Sequence, residues 1–253
     1  MKIKKVITMN AVDVAKSYLG YYEKDRLSDI YTNKKGSKNF TKFAETYKNL
    51  TGENYQGQAW CAMFVSCCFA EAYGSKKARE MLGGDFFAYT PTGAGNFKAK
   101  NRYGKNVKEA NVEDLVFFSN GGKRIDHVGI ITYKGQTVFK TIEGNASNGV
   151  VERTYSYNDP RIVCVGFTGA NKESNGWEFT NFQWKYKNDG EYLTNGFYYI
   201  NGILFYFDNV GYMAEGQFFV DGIRYYATTS IKPITGGIVY ITNNNSVQKV
   251  DKP

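Results

Sequence analysis

Apolar residues recur at helical spacing in the first part of the chain. Residues 12–20 carry them every three or four positions and end at a glycine, Gly20, which predicts a helix. A second helix is predicted over residues 40–50. Residues 60–73 form an apolar, alanine-rich run that Gly74 closes, and this run gives the clearest helix signal in the chain.

From Val112 onward the pattern changes to short runs rich in β-branched and aromatic residues. Turn residues, among them an Asn-Gly-Gly sequence at 120–122, separate these runs, as expected for successive strands. Helices first and strands later predict an α+β domain with an antiparallel sheet. The predicted strands are residues 115–118, 128–132, 138–142 and 162–167.

A polar segment separates this domain from a repeating sequence in which glycine and tyrosine recur at intervals of 20. Asn-Gly and Asp-Gly pairs between aromatic runs predict hairpins. One hairpin cannot bury its own face, so stacked hairpins should form a small solenoid. The first unit, from Trp177, lacks the central turn. The predicted division is residues 1–170 for the α+β domain, 171–175 for the linker and 176–253 for the hairpin repeats.

The net charge of +8 is concentrated in the first domain, because the residues from 175 onward carry −1 and the first 174 carry +9. A basic surface attracts polyanions such as nucleic acid, anionic cell-wall polymer or a membrane surface. The lysines of residues 2–48 form no dense stripe and no nucleic-acid motif, so we expect no nucleic-acid partner. An aromatic content of 17% exceeds what a core needs and favours a surface that stacks on sugars or other ligands.

The four cysteines lack paired C-x-x-C spacing, and with one histidine they make no ordinary zinc finger. Cys61 and Cys68 would lie about 10 Å apart along a helix, beyond disulfide reach. Reduced thiols made in a cytosol fit best. We expect no metal or other cofactor. The N-terminal apolar run is too short for a signal peptide, and no apolar stretch is long enough to insert in a membrane.

His127 is the only histidine, so any imidazole chemistry must use it. Cys61 lies upstream and Glu143 and Asn145 lie downstream, which supplies the parts of a cysteine nucleophile site. If Trp60 and Cys61 open their helix, the macrodipole stabilises a thiolate and the free N–H groups can bind an oxyanion. The two downstream residues are two apart at a strand end, so both can face His127 and one can fix its tautomer.

Simpler interpretations exist for each of these residues. A cysteine in an apolar helix is often a small core residue, and a histidine beside Asp126 can be a structural hydrogen-bonding group. The Glu-Gly-Asn sequence at 143–145 can be only a turn. The conjunction of the residues, more than any one of them, favours catalysis.

Four blocks of sequence resemble the CHAP family. They are residues 19–23 (Leu-Gly-Tyr-Tyr-Glu), 60–65 (Trp-Cys-Ala-Met-Phe-Val), 126–130 (Asp-His-Val-Gly-Ile) and 142–145 (Ile-Glu-Gly-Asn). Members of this family are cysteine- and histidine-dependent amidohydrolases or peptidases with a papain-like fold that cut bacterial peptidoglycan. The resemblance covers roughly residues 10–168.

The resemblance implies that Cys61 is the nucleophile and His127 the general base, while Glu143 orients and charges the histidine and Asn145 assists. Some members bind calcium through acidic residues just before the cysteine. Here that segment contains only Glu53, so no calcium site is predicted. Gln58 could contribute to an oxyanion hole.

The repeats resemble the cell-wall-binding or choline-binding repeat family and the related glycan-binding repeats of clostridial toxins, through residues 196–199 and 211–216. The choline-binding version usually has tryptophan where this chain has Phe197 and Leu204, so a neutral glycan is an equal alternative to choline. Many of these rings could also be hairpin core. The rings expected to contact the ligand are Trp177, Trp184, Phe197, Tyr199, Tyr206 and Tyr226.

Together the resemblances imply a phage or prophage endolysin, either an N-acetylmuramoyl-L-alanine amidase or an endopeptidase. Without a signal peptide it would be made in the bacterial cytoplasm and reach the wall after release by a holin. The expected partners are peptidoglycan and wall glycan or teichoic acid, with self-association through the repeats. The alternatives are a host autolysin and a glycan-binding adhesin or toxin-like protein without catalysis.

Overall fold

The contacts of the chain divide it into two units, Asn10–Ala170 and a second unit that joins Met1–Met9 to Asn171–Pro253. The sequence assigned the first nine residues to the α+β domain, whereas the structure groups them with the repeats. The predicted linker, residues 171–175, lies outside the described residues. The protein is represented by a computed structural model, which describes residues 3–7, 10–121, 124–170, 176–188, 190–200, 203–227, 238–241 and 247–249.

Two helices of the first unit begin at side-chain caps. The Asn10 side chain accepts a hydrogen bond from the Asp13 N–H at 2.8 Å, and Thr41 Oγ1 accepts one from the Ala44 N–H at 3.0 Å. No described helix is long and apolar enough to cross a membrane. The helices of the described chain are α1 (Ala11–Ser17), α2 (Lys42–Thr51), α3 (Cys61–Met81) and α4 (Thr90–Ala99), with 3₁₀ turns at Leu27–Asp29 and Val107–Glu109.

The three predicted helices are confirmed, and two differences have local causes. Gly74 does interrupt α3, with φ 74° and ψ 158°, but helical geometry resumes and continues to Met81. The pattern did not predict α4, because Gly93 and Gly95 lower helix propensity while Pro91 fits only its first turn.

Strands make up the rest of the described secondary structure. The predicted strands of the first domain are all present, and the sequence did not predict the strands at Ile3–Ile7, Tyr103–Gly104 and Gly149–Ser156. The strands are β1 (Ile3–Ile7), β2 (Tyr103–Gly104), β3 (Leu115–Phe118), β4 (His127–Lys134), β5 (Val138–Ala146), β6 (Gly149–Ser156), β7 (Ile162–Gly166), β8 (Gly176–Thr180), β9 (Gln183–Asn188), β10 (Glu191–Tyr192), β11 (Gly196–Ile200), β12 (Ile203–Phe207), β13 (Gly216–Val220), β14 (Ile223–Ala227), β15 (Ile238–Ile241) and β16 (Val247–Lys249).

The first unit is built on an antiparallel sheet with the strand order β2-β7-β3-β4-β5-β6. Helix α3 contacts β4 and β5, and it also packs against α1 and α2. Almost every residue of its first three turns is buried, as the apolar run predicted. The first unit is therefore the expected α+β domain, with the predicted nucleophile helix lying on the strands that carry His127 and Glu143.

The second unit consists of aromatic hairpins, which confirms the predicted hairpin class. In the β13–β14 turn, Asp221 and Gly222 take positive φ angles of 50° and 75°, as an Asp-Gly hairpin requires. The β8–β9 turn uses Asn181 and Phe182 instead, so the first of the sequence repeats, which begins at Trp177, does form a hairpin. The predicted Asn201-Gly202 turn lies outside the described residues.

Neighbouring hairpins share buried rings, which is how a repeat that cannot bury its own face becomes stable. One cluster joins Tyr186 of β9 to Phe205 of β12, and another joins Phe197 of β11 to Tyr225 of β14. In addition, β1 pairs in parallel with β11. An N-terminal strand thus completes the sheet of the β11–β12 hairpin.

Candidate active site

Cys61 is the first residue of α3, with Trp60 as its N-cap residue. The thiol is buried, with 4% of the residue exposed. The N–H groups of a first helical turn have no partner within the helix, and the macrodipole is positive there. The sequence predicted this placement, and the structure has it.

His127 is the first residue of β4, and its ring lies between Cys61 and Glu143. Nε2 is 2.8 Å from Glu143 Oε2, and the Cys61 side chain lies close enough to the ring to raise the pKa of His127. With Nε2 engaged by the carboxylate, Nδ1 is the nitrogen that can exchange a proton with the thiol. The structure therefore brings three of the four predicted residues together at the N-terminus of α3.

The carboxylate of Glu143 is fully buried and saturated with donors. Its Oε1 accepts hydrogen bonds from Thr141 Oγ1 at 2.6 Å and from the Tyr155 hydroxyl at 2.7 Å, while Oε2 faces His127. Burial alone would raise the pKa of Glu143, but the hydrogen bonds and the charge of His127 outweigh it and hold that pKa below its ordinary value. Glu143 is thus kept ionised beside the imidazole.

The same contacts change the proton affinity of His127. Burial lowers the pKa of the imidazole, but the hydrogen bonds and charges of Cys61 and Glu143 oppose it and raise the pKa of His127 to about 10. The ring consequently holds a second proton readily, which is the state that follows removal of the thiol proton.

Two glycines allow the chain segments of the site to approach one another. A Cβ on Gly129 of β4 would lie 2.8 Å from Glu143 Cγ, and a Cβ on Gly144 of β5 would lie 2.6 Å from Phe64 Cβ. Gly129 leaves the space that the Glu143 side chain fills. Gly144 lets β5 lie directly against the first turns of α3. The Val-Gly and Glu-Gly-Asn sequences therefore have a steric reason for their glycines.

Asn145 lies next to the site but faces another carboxylate. Its Nδ2 donates to Glu23 Oε2 at 3.1 Å and to Asn39 Oδ1 at 2.9 Å. A bulge in the β5–β6 pairing and a φ of 56° at Asn145 direct it there. Glu23 was not predicted as a site residue, although it ends the first of the four sequence blocks. A glutamate beside two tyrosines in that block was the available signal.

A cavity of about 740 Å³ opens beside the nucleophile segment. Gln58 and Ala59, which precede Trp60, line one part of it, whereas Cys61, His127 and Glu143 do not line it, and the oxyanion contact of Gln58 stays a prediction. Aromatic rings form part of the remaining wall. The rings that line it belong to Tyr47, Tyr55, Phe86, Phe87 and Tyr89.

The other three cysteines differ from Cys61 in their surroundings. All four are free and buried. Burial raises the pKa of the Cys67 and Cys68 thiols far above the ordinary range, and it raises the pKa of Cys164 to about 11. They are core thiols, as the sequence indicated. Within the described ranges, no group of three His, Cys, Asp or Glu side chains could hold a metal ion.

The predicted ligand rings of the second unit are mostly engaged in packing. Phe197 and Tyr199 are buried, and Tyr206 packs against the same cluster. Trp177 and Trp184 are half-buried against the cluster of the first hairpins. Tyr226 is 40% exposed. Of the six predicted rings, Tyr226 presents the most open surface to a ligand.

Other rings of the second unit are more exposed than the predicted ones. Phe182 is 93% exposed and Phe219 is 63% exposed. Phe219 and Tyr226 alternate outward from β13 and β14, together with Gln217 and Arg224. The strand register could have indicated this face, because every second residue of a strand points to the same side.

Two further rings of this unit, those of Tyr192 and Tyr212, contact the side-chain ammonium group of Lys185. The Lys185 Nζ lies 4.2 Å from the ring centre of Tyr212 and 4.9 Å from that of Tyr192, and it donates to the Val210 carbonyl at 3.0 Å. This arrangement is a cation–π contact closed by a hydrogen bond.

These observations define an α+β unit with a cysteine–histidine–glutamate site at a helix N-terminus, followed by aromatic hairpins. A family model described as the CHAP domain matches residues 53–145, a stretch that contains all four predicted catalytic residues. The chain therefore contains a CHAP domain, as the sequence blocks indicated.

Solved structures also match parts of the chain. CbpJ from Streptococcus pneumoniae TIGR4 is 18% identical over 39% of this chain and 32% of its own, with a TM-score of 0.21. Choline binding protein F from Streptococcus pneumoniae is 14% identical over 53% and 48%, with a TM-score of 0.23. A multimodular pneumococcal cell wall endolysin from phage Cp-1, complexed with choline, is 16% identical over 49% and 38%, with a TM-score of 0.20.

The chain spans less than half the length of each of these three structures. No curated protein sequence matches the chain.

Proposed function

We propose that the protein hydrolyses an amide bond of bacterial peptidoglycan, with Cys61 as the nucleophile. The observation that carries this proposal is the placement of His127 between Cys61, at the N-terminus of α3, and the buried Glu143, with His127 Nε2 2.8 Å from Glu143 Oε2. The CHAP domain match supports the same class of reaction.

In the first half of the reaction, His127 takes the proton of Cys61 and the thiolate attacks the amide carbonyl carbon. The N–H groups of the first turn of α3 would bind the oxyanion, with Gln58 as a further donor. The imidazolium then gives its proton to the amine as the C–N bond breaks. The products of this step are the free amine and a thioester on Cys61.

In the second half, neutral His127 removes a proton from water, and the hydroxide attacks the thioester carbonyl. The C–S bond breaks, the carboxylic acid leaves, and the thiolate takes back the proton from His127. The buried carboxylate of Glu143 stabilises the imidazolium in both halves and fixes the ring so that Nδ1 faces the sulfur.

The second unit would hold the enzyme on the wall by binding wall glycan or teichoic acid. Its outward face of Gln217, Phe219, Arg224 and Tyr226 supports this role, because exposed rings beside polar side chains suit stacking on a sugar. Binding would raise the local concentration of the catalytic unit at its substrate. The position of Lys185 between two rings favours a glycan over choline at that place.

We also propose the origin of the enzyme and the class of bond that it cuts. A CHAP domain joined to aromatic hairpins is the organisation of an endolysin of phage or prophage origin, made in the host cytoplasm and released to the wall. The bond is either that between muramic acid and L-alanine or one within the stem peptide or the cross-bridge.

The test is mass spectrometry of purified Gram-positive peptidoglycan after digestion with the wild type and with Cys61→Ala. We expect new amine termini only with the wild type, and their masses identify the bond. Cys68→Ala, which removes a core thiol of the same helix, is the matched control and should still cut.

Unchanged peptidoglycan from several wall types with the wild type would contradict the proposal and favour a glycan-binding protein without catalysis. Equal digestion by Cys61→Ala would refute the assigned nucleophile.

A further inference from the structure

Glu23 is a buried carboxylate that the reaction scheme above does not use. Only 1% of the residue is exposed. Its Oε2 accepts hydrogen bonds from Trp60 Nε1 at 2.9 Å and from Asn145 Nδ2 at 3.1 Å, and its Oε1 accepts one from the Asn39 N–H at 3.2 Å. Desolvating a carboxylate is costly, so three donors converging on one implies a defined structural role.

The two donors to Oε2 come from opposite sides of the candidate active site. Trp60 immediately precedes Cys61, and Asn145 lies two residues after Glu143. One oxygen atom therefore joins the segment that carries the nucleophile to the segment that orients the histidine. These residues are far apart in sequence, since Glu23 is 37 positions from Trp60 and 122 from Asn145.

The main chain anchors Glu23 next to the end of β5. Its N–H donates to the Asn148 carbonyl at 2.9 Å, and its own carbonyl accepts from the Gly36 N–H at 2.7 Å. The preceding residue, Tyr22, forms a β-bridge with Gly149 at the turn between β5 and β6. The carboxylate is thus held from a backbone anchored to the end of β5.

The Trp60 ring is equally restrained, which makes its bond to Glu23 directional. It is fully buried and stacks on Phe43 with ring centres 5.4 Å apart. Gly144 lies so close that a Cβ there would be 2.7 Å from the Trp60 Cζ3 atom. A displacement of the indole would consequently move both the start of α3 and the end of β5.

We propose that Glu23 is a positioning residue for the hydrolase: through Trp60 and Asn145 it sets the separation between Cys61 and the His127–Glu143 pair. This role rests on the proposed function for its effect on turnover. Asn145, in this account, acts on the site through Glu23.

The experiment compares the wild type with Glu23→Gln. A glutamine has one acceptor oxygen, so its amide nitrogen must face either the Asn39 N–H or the donors at the Oε2 position. We expect kcat on soluble peptidoglycan fragments to fall about 100-fold while KM changes less than about twofold, because misplacement by about 1 Å has such an effect. The rate of Cys61 alkylation by iodoacetamide should fall on the order of tenfold.

Asp114→Asn is the matched control. Asp114 is a second buried carboxylate of the same unit, and it accepts hydrogen bonds from the Asn111 N–H at 2.7 Å and the Thr168 N–H at 2.8 Å. Its removal should lower the melting temperature comparably while kcat and the alkylation rate stay near those of the wild type. If Glu23→Gln does not fold, Trp60→Phe removes one donor from the same oxygen and should lower both rates in the same direction.

Wild-type kcat and wild-type alkylation of Cys61 in a folded Glu23→Gln would overturn the positioning role. Equal losses in Asp114→Asn would also overturn it, since they would reduce the effect to stability. If the wild type cuts no peptidoglycan, the proposed function fails, and the alkylation rates still decide whether Glu23 positions Cys61.

Discussion

At the scale of single residues, the candidate site depends on Gly129, which has no side chain, as well as on the polar side chains that meet there. Glu143 is buried and its carboxylate meets His127, Thr141 and Tyr155. This packing is possible because the neighbouring residue across the sheet is Gly129, where a Cβ would lie 2.8 Å from Glu143 Cγ. The glycine after the histidine and valine therefore serves the geometry of the catalytic carboxylate.

Gly129→Ala should displace Glu143 and lower kcat/KM on the order of 100-fold, because the partner of His127 moves. The same overpacking should cost about 1–3 kcal/mol of unfolding free energy. Both are measured on purified protein, by digestion of peptidoglycan and by urea unfolding. Gly135→Ala, just beyond the other end of β4 and beside the half-exposed Tyr133, is the control. A fully active Gly129→Ala would show that Glu143 tolerates movement.

The pKa of His127 predicts the alkaline limit of activity. In the proposed mechanism the imidazolium donates the proton to the leaving amine, and it persists until the pH passes the raised pKa of about 10. Activity should therefore fall with rising pH only near pH 10, far above the value of about 6.5 for a free imidazole. The measurement is the pH dependence of kcat/KM.

Glu143→Gln should move this limit to lower pH, because the charge and hydrogen bond of the carboxylate are among the causes that raise the pKa of His127. An unchanged limit in this variant would exclude Glu143 as a cause.

At the scale of elements, the sequence best predicted the helix and strands whose local residue pattern also contains the candidate site residues. The apolar run after Trp60 predicted α3 and placed Cys61 at its start, and short β-rich runs bounded by turn residues predicted β4 and β5 with His127 and Glu143 at their ends. The Glu23 network was beyond prediction, because its bonds join residues 37 and 122 positions apart and no local period marks them. The sequence did not predict α4, because Gly93 and Gly95 lower the helix propensity of a segment that is helical in the folded domain.

Gly74 provides a test at this scale. Its φ of 74° and ψ of 158° lie in a region that only glycine adopts easily, so Gly74→Ala should destabilise the first unit by about 1–3 kcal/mol. Gly95→Ala in α4, where a Cβ would meet no atom within 4 Å, should instead be neutral or stabilising by about 0.5–1 kcal/mol. Urea unfolding of the two variants decides between them, and equal effects would mean that the break in α3 carries no strain.

At the scale of the whole molecule, the boundaries of the two units differ from the predicted ones, because residues 1–9 group with the repeats. Strand β1 pairs with β11, about 190 positions later, in the repeat unit. The N-terminal sequence that contains β1 is basic and briefly apolar, and this pattern did not indicate that the strand pairs with β11. The proposed catalytic residues all lie within Asn10–Ala170, and the proposed wall-binding face lies in the other unit.

A fragment of residues 10–170 should accordingly retain hydrolysis of soluble peptidoglycan fragments and bind intact walls more weakly. A fragment of residues 1–170 should aggregate more, because β1 would lack its partner strand and present free backbone groups. Sedimentation with purified walls and light scattering measure the two effects. Wall binding by 10–170 equal to that of the full chain would contradict the assignment of binding to the repeats.

Phe219→Ala and Tyr226→Ala should each weaken wall binding by about 1–3 kcal/mol if a sugar stacks on this face, without changing hydrolysis of soluble fragments. Phe182→Ala, which removes a more exposed ring of the first hairpin, is the control. Equal binding by all three variants would remove this face from the proposal.

The most direct test of the central claim is a stoichiometric titration of the full-length protein with iodoacetamide, followed by peptide mass spectrometry and a peptidoglycan digestion assay. We predict that Cys61 is alkylated ahead of the three core thiols and that hydrolysis disappears in proportion to its labelling. Hydrolysis that persists after complete alkylation of Cys61 would contradict the assignment of this thiol as the nucleophile.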